Sequence, residues 1–360
     1  MHFFTSIFIL LFLVGCNNSD TQTQQTLKLA PPQNNQIYFG AFPDFGGTEE
    51  NITAQKIQDF EKIAQKKLVW ACFSNNWWHG IVYPKQEIHT IADQDVIPYV
   101  RLMPRSDAIE SHPEPKYTLQ KIIDGIFDKE LKQWAQDAKE DNIAIIADFA
   151  LEMNGDWFPW SGVFNGGATT DGYGDPTLAD GPERYRDAYR HIITLFREVG
   201  ANNITWFFHY NYTTLPYQEW NKPKNYYPGD EYIDWVGFSL YGAQNIHEPW
   251  EELLFSTTFN DYIDDFYEIN TTNPIALLEF GVTDNHPDGN KSAWLDDAFE
   301  TILDNPYIDF KAINPWHENW QNEDDNYSTL RLDSSKEVEQ TFQKWMANER
   351  FISLAILHRE

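Results

Sequence analysis

From residue 36 onward, short apolar runs rich in β-branched and aromatic residues alternate with longer stretches of helical period. Eight of these runs predict strands: QIYFGAF (36–42), KLVWACF (67–73), VIPYVRLM (96–103), IAIIADFALE (143–152), NITWFFHYN (203–211), IDWVGFSLY (233–241), PIALLEFG (274–281) and IDFKAINPW (308–316). Most are apolar nearly throughout, as strands covered on both faces are. Between them, TAQKIQDFEKIAQK, LKQWAQDAKE, PERYRDAYRHIITLFREVG and KSAWLDDAFETILDN carry the spacing of amphipathic helices. The third opens with Pro182 in its first turn and closes on Gly200, the usual asymmetry of helix ends. Strand and helix alternating in this way predict an α/β chain folded as a single (β/α)8 TIM barrel over 36–350. Insertions follow strand four (161–181) and strand six (242–258), at the C-terminal face. A doubly wound open sheet is the runner-up, but FPDFGG after the first strand lacks the glycine spacing of a dinucleotide loop.

Ahead of the barrel, FFTSIFILLFLVGC is apolar, short for a membrane span, and ends in a small residue before Cys16, the pattern of a secretory signal. Its LVGC ending resembles the bacterial lipoprotein box, although the segment before it carries His2 and no Lys or Arg. That resemblance implies a signal peptide over 1–15, lipid attachment at Cys16 and an extracytoplasmic protein. Asn17 follows the cysteine where Asp would suggest inner-membrane retention, so an outer-membrane anchor is expected. The polar, Pro-containing stretch over 16–35 reads as a flexible tether, and membrane contact is expected through the lipid alone. Cys72 is then the remaining cysteine, a buried thiol rather than part of a disulfide framework.

Composition narrows the function. The formal net charge is −29 and no Lys/Arg-rich cluster occurs, which excludes a nucleic-acid footprint and disfavours polyanionic substrates. Aromatic residues make up 16% of the chain, with 14 Trp, and their flat faces suit sugar stacking as well as core packing. No His/Cys cluster has zinc spacing, and the Asp/Gly/Thr-rich segment 165–181 lacks the spacing of a calcium loop, so no metal or other cofactor is expected. Ser239, in GFSLYG, lacks the elbow pattern of a serine hydrolase. The protein is expected to act as a monomer.

Function in a barrel gathers at the C-terminal ends of the strands. Glu152 follows IAIIADFAL and Glu279 follows PIALL, so both are expected at one mouth. Two carboxyls at one cleft suit glycoside hydrolysis, one protonated to assist the leaving oxygen and one ionised. Trp157 and Phe158 are the kind of apolar flank that raises the pKa of Glu152.

LEMNGDWFPWSG, YYPGDEYIDWVGFSLYG and PIALLEFGV, in that order, resemble glycoside hydrolase family 26, the β-mannanase family of the large (β/α)8 glycosidase clan. The resemblance implies that Glu152 is the acid/base and Glu279 the nucleophile of a retaining mechanism. It implies that Tyr241 contacts the nucleophile, that Trp157 lies beside the cleavage point and that Trp316 or Trp320 floors the adjacent sugar site. Arg101, Trp77, Trp160, His209 and Asn211 are further candidates for lining the cleft; for Arg101 a structural ion pair, for Trp77 packing and for His209 a structural role are the competing readings. Mannanases of the family read RPLHEMNG, with His before the acid/base, whereas this chain has Asp148, Phe149, Ala150 and Leu151 there. The expected activity is endo-acting hydrolysis of a β-linked polysaccharide or oligosaccharide such as β-1,4-mannan. Mixed-linkage β-glucan and β-1,3-xylan are alternative substrates, and transglycosylation or glycan binding without catalysis are the alternative functions.

Overall fold

In the computed structural model, residues 27–322 and 326–358 are described. The expected signal peptide and Cys16 lie outside them. The eight strands are β1 (Ile37–Phe39), β2 (Trp70–Asn76), β3 (Ile97–Met103), β4 (Ile145–Phe149), β5 (Ile204–Asn211), β6 (Trp235–Tyr241), β7 (Ile275–Gly281) and β8 (Phe310–His317). Each pairs in parallel with the next from β2 to β8, and β8 returns to β1 with Ala312 opposite Tyr38. The barrel closes between β1 and β2, where Val69 N–H donates to Phe39 O at 2.7 Å and Cys72 N–H to Ala41 O at 3.0 Å. Below that seam Phe351–Ile352 adds a short parallel strand against β1, so the folded unit runs past the expected limit of 350.

The expected tether also stops early. Lys28–Leu29 pairs antiparallel with Leu357–His358, Leu29 is buried, and Lys28 forms a 2.7 Å ion pair with Asp234 just before β6. An apolar side chain with a place in the core and a cation with a half-buried partner order residues that composition alone reads as flexible.

Helices cover the outside. Asp180–Val199 is the longest of those described, with Asp180 and Glu183 in its positive first turn and Gly200 at φ 83° after its last. Its buried face carries Tyr185 and Tyr189, whose hydroxyls donate to the Phe149 and Phe207 carbonyls at 3.0 and 2.7 Å and so lock the helix to β4 and β5. Helices Ala54–Ala64, Lys291–Asp304 and Lys336–Met346 begin at Thr53, Asn290 and Ser335, each capping with its side-chain oxygen.

The barrel interior is graded. Its floor is aromatic: Trp70 meets Tyr38, Tyr99 and Phe207 edge-on with centroids 6.1–6.5 Å apart, and Trp235 lies against Phe207 and Tyr38. One layer up stand Cys72, Asp148, His209 and Asn314, all buried. Asn314 joins the two layers, accepting from Trp70 Nε1 at 2.7 Å and donating to Leu278 O at 2.9 Å. Asn314→Ala would leave an indole N–H and a carbonyl buried without partners, and should cost about 3 kcal/mol of stability by urea unfolding; a loss below about 1 kcal/mol would show that the layers are not coupled through it.

Candidate active site

The mouth of the barrel holds a cavity of about 660 Å³ lined by residues from five strands and the loops above them. Glu152, Glu279, Arg101, Tyr241, Trp157, Asn211, Trp316 and Trp320 all line it. Of the two insertions, 242–258 contributes Gly242, Gln244, Glu248 and Leu253 to the lining, whereas Ala168, Thr170, Thr177 and Leu178 of 161–181 line a separate hollow beside Trp220.

Glu152 does not end a strand. β4 stops at Phe149, and the chain enters the left-handed region at Ala150 (φ 52°) and again at Glu152 (φ 52°). Two such residues carry strain of order 1–3 kcal/mol each and persist only where the surroundings fix them. Here Ala150 N–H donates to Leu102 O at 3.0 Å, Glu152 N–H to His209 O at 2.9 Å and Trp160 Nε1 to Leu151 O at 2.7 Å. The turn throws the Glu152 carboxyl over the cavity, where Trp157 Nε1 donates to its Oε2 at 2.8 Å. Trp157 can lie so close because residue 155 is glycine; a Cβ there would meet the indole ring at 2.5 Å.

Burial pushes Glu152 up to about 7, and the charge of Glu279 adds to the rise. His209, Ser239 and the Trp157 N–H act the other way. Trp157 was expected to raise this pKa as an apolar flank; its donated hydrogen bond makes it a partner of the carboxylate instead.

Glu279, near the end of β7, has both oxygens occupied. Arg101 Nη1 donates to Oε1 and the Tyr241 hydroxyl to Oε2 at 2.9 Å. The same guanidinium pairs with Glu49 through Nη2, takes Ser74 Oγ at 3.0 Å and lies 4.9 Å from the centre of the Trp316 ring. Trp316 is in turn stacked on Phe42, 3.8 Å apart and nearly parallel. Arg101 therefore meets both of its expected readings at once: it is an ion pair, and its partner is Glu279.

Three sequence candidates stand elsewhere. Trp77 is fully buried, edge-on to Tyr117 at 5.3 Å and packed on Phe149, because the turn Trp77–His79 directs it inward; its neighbour Trp78 lies under Arg105. Trp160 is also buried, stacked on Phe158 and tied to the Leu151 carbonyl, so it supports the turn rather than the sugar. His209 lies in the layer below, bonded to Asp148 at 2.9 Å and Ser239 at 2.7 Å. Asn211 reaches the lining, with its amide held by the Thr213 carbonyl at 2.6 Å. Of the two tryptophans after the eighth strand begins, both border the cavity, Trp316 beneath Arg101 and Trp320 on the hairpin Asn319–Gln321 with Tyr327–Thr329.

Glu49, Glu318, Ser239, Glu110 and Glu248 also line the cavity and were not anticipated. Glu318 directly follows β8 and burial pushes it up to about 7, so the strand-end rule that finds Glu152 and Glu279 would have found it. Glu49 sits on the loop after Phe42–Pro43, where no strand pattern points to it.

A closed parallel barrel with two facing carboxyls at its mouth, one raised and one held by a guanidinium, is the framework of a glycosidase. The chain belongs to glycosyl hydrolase family 26, whose model matches residues 21–253. Endoglucanase H of Acetivibrio thermocellus is 28% identical over 226 residues, which is 62% of this chain and 22% of that much longer protein. In fold, the chain is similar to a β-mannanase from a symbiotic protist of the termite Reticulitermes speratus, solved with a gluco-manno-oligosaccharide (TM-score 0.55, 17% identity, 88% of each chain covered). It is likewise similar to a Cellulomonas fimi endo-β-1,4-mannanase double mutant (TM-score 0.58, 16% identity, 88% of this chain and 72% of that one).

The electrostatic pairing has a direct consequence. Glu279→Gln removes the neighbouring negative charge, so the Glu152 carboxyl should titrate below about 7 in a carbon-13 NMR titration, and an unchanged midpoint would show that the two carboxyls do not interact.

Proposed function

We propose that the protein is a retaining, endo-acting β-glycosidase that cleaves a neutral β-linked polysaccharide such as β-1,4-mannan. The observation that carries this reading is the pair Glu152 and Glu279 on one cavity, with Glu152 raised to about 7 and Glu279 bonded to Arg101 and Tyr241. In the first step a Glu279 oxygen bonds to the anomeric carbon as the glycosidic C–O bond breaks, and Glu152 gives its proton to the departing oxygen. In the second, water attacks the same carbon, Glu152 takes its proton and the Glu279 ester bond breaks. Arg101 and Tyr241 orient the attacking carboxylate in step one and receive it again in step two.

The lining supports a neutral substrate. Glu49, Glu110, Glu152, Glu248, Glu279 and Glu318 face the cavity, and Arg101 is the one Lys or Arg among its described residues. A uronic acid would meet like charge there. Trp157 and Trp320 bring aromatic surface to the cavity that suits sugar rings. An endo mode is supported by its likeness to an endoglucanase and to an endo-β-1,4-mannanase. Mixed-linkage β-glucan is the second reading, favoured by Leu151 in the place of the mannanase histidine and by the likeness to an endoglucanase. The LVGC sequence further supports lipidation of Cys16 and an extracytoplasmic location at the outer membrane.

Product analysis on mannan, glucomannan, mixed-linkage glucan and β-1,3-xylan, with proton NMR of the first-formed anomer, tests the reading. Oligosaccharides of retained configuration are expected from one of these, and the absence of cleavage in all four would sink it. Glu152→Ala should lower kcat/KM on glycan by roughly 10²–10⁴-fold while sparing an aryl glycoside whose leaving group needs no proton. Since Glu152 must be protonated in the free enzyme, kcat/KM should fall as pH rises through about 7.

A further inference from the structure

The insertion over 161–181 adds nothing to the lining of the catalytic cavity, yet it walls a second hollow of about 540 Å³. Such a volume falls within the ~300–1,000 Å³ range of small-ligand pockets. The facing wall is the segment 218–225 beyond β5, and Pro182, Glu183 and Arg186 of the helix Asp180–Val199 lie between the two. Both walls follow the C-terminal ends of strands, so the hollow shares a face with Glu152 and Glu279.

Both walls are also fixed to the turn that carries Glu152. Asn154, two residues past Glu152, donates to Asn211 O at 2.7 Å, and its own carbonyl accepts from Leu215 N–H at 3.0 Å and Asn221 Nδ2 at 2.9 Å. On the other side, Gly162 N–H donates to Met153 O at 3.0 Å and Gly167 N–H to Gly162 O at 2.8 Å. The walls come close, since a Cβ on Gly167 would stand 3.9 Å from the Trp220 ring. One stretch of chain therefore serves both cavities: Asn211 and Thr213 line the catalytic one, and Gln218, Trp220 and Asn225 line the second. Between them Leu215 and Tyr217 are half exposed.

Charge pairing decides what the hollow can hold. Its two cations among the described lining residues already have partners: Arg186 meets Glu183 at 3.2 Å and Asp187 at 3.6 Å, and Lys224 meets Glu219 and, at 3.0 Å, Glu268. An anion would have to break one pair to form another. A neutral ligand meets instead the aromatic surface of Trp220 and the exposed Gln218 amide, which suit the apolar faces and hydroxyl edges of sugar rings. We propose that this hollow is a second glycan site, which holds a further stretch of the neutral β-linked polysaccharide cleaved at Glu152 and Glu279. The identity of that glycan rests on the function proposed above. Its walls follow β4 and β5, so the held stretch lies on the Glu152 flank, where the leaving group departs. Two attachments on one polymer retain it more firmly than either alone.

Nitrogen-15 NMR of the indole N–H signals in Glu279→Gln, titrated with hexasaccharides of mannan, glucomannan, mixed-linkage glucan and β-1,3-xylan, reads both cavities without hydrolysis. Trp157 reports the catalytic one and Trp220 the second, each signal assigned by its loss on substitution with Phe. One of the four hexasaccharides should move both signals, with separate midpoints. Ala168→Arg, which sends a long side chain into the hollow from its exposed rim, should abolish the Trp220 shift while Trp157 still moves. Hexagalacturonate should not move Trp220. In the active protein, Trp220→Ala should lower the ratio of kcat/KM on polysaccharide to that on an aryl glycoside by roughly fivefold. A Trp220 signal that no hexasaccharide moves, that hexagalacturonate moves as strongly, or that still moves in step with Trp157 in Ala168→Arg overturns the proposal even where glycan is cleaved. A Trp220 shift abolished by Ala168→Arg, in a protein whose wild type cleaves none of the four glycans, upholds the second site and removes the glycosidase reading instead.

Discussion

A guanidinium only 3% exposed inside a barrel is tolerable because each of its two terminal nitrogens meets a carboxylate. Arg101 faces Glu279 on one side and Glu49 on another, donates to the Ser74 hydroxyl oxygen and lies against the face of Trp316. These partners come from β2, β7, β8 and the loop after β1, so one charge on β3 draws together five parts of the chain. Removing the guanidinium would leave the Glu279 and Glu49 carboxylates without their shared counter-charge, which is more costly than the pairing is favourable. The geometry around Glu279 is therefore set by the need to neutralise Arg101, and the site is formed before any substrate arrives.

The interior passes from apolar to ionisable over the height of the barrel. The aromatic floor is apolar; above it Asn314 bonds Trp70 and Leu278, Asp148 bonds His209, and Arg101, Ser239, Glu279 and Glu152 complete the ascent. Each layer supplies the hydrogen-bond partners of the one above. Because the floor is apolar, the buried polar groups have few partners other than one another, which is the setting in which a carboxyl such as Glu152 is pushed up to about 7.

The eight strands were legible because buried parallel strands are apolar along their whole length, and that signal survives without any knowledge of partners. Glu152 and Glu279 were legible because each is a charge placed where an apolar run gives out. Glu318 obeys the same rule. Trp77 and Trp160 were misassigned because a tryptophan after a strand reads alike whether it turns to the cleft or to the helices; φ/ψ at the intervening turn decides, and the residue names do not encode it. Strand four was read three residues too long for the same reason, since Ala150 and Leu151 continue an apolar pattern across a left-handed kink. Glu49 escaped notice because it sits in an irregular loop, and Ser239 was set aside because it lacks the motif of a nucleophile; only the fold shows what each touches.

The pairing of Lys28–Leu29 with Leu357–His358 lies against Thr205 and Asp234, at the opposite end of the barrel from Glu152 and Glu279. Whatever precedes these residues joins the barrel at its base. The opening that holds Glu152 and Glu279 thus stays clear of this two-stranded pairing.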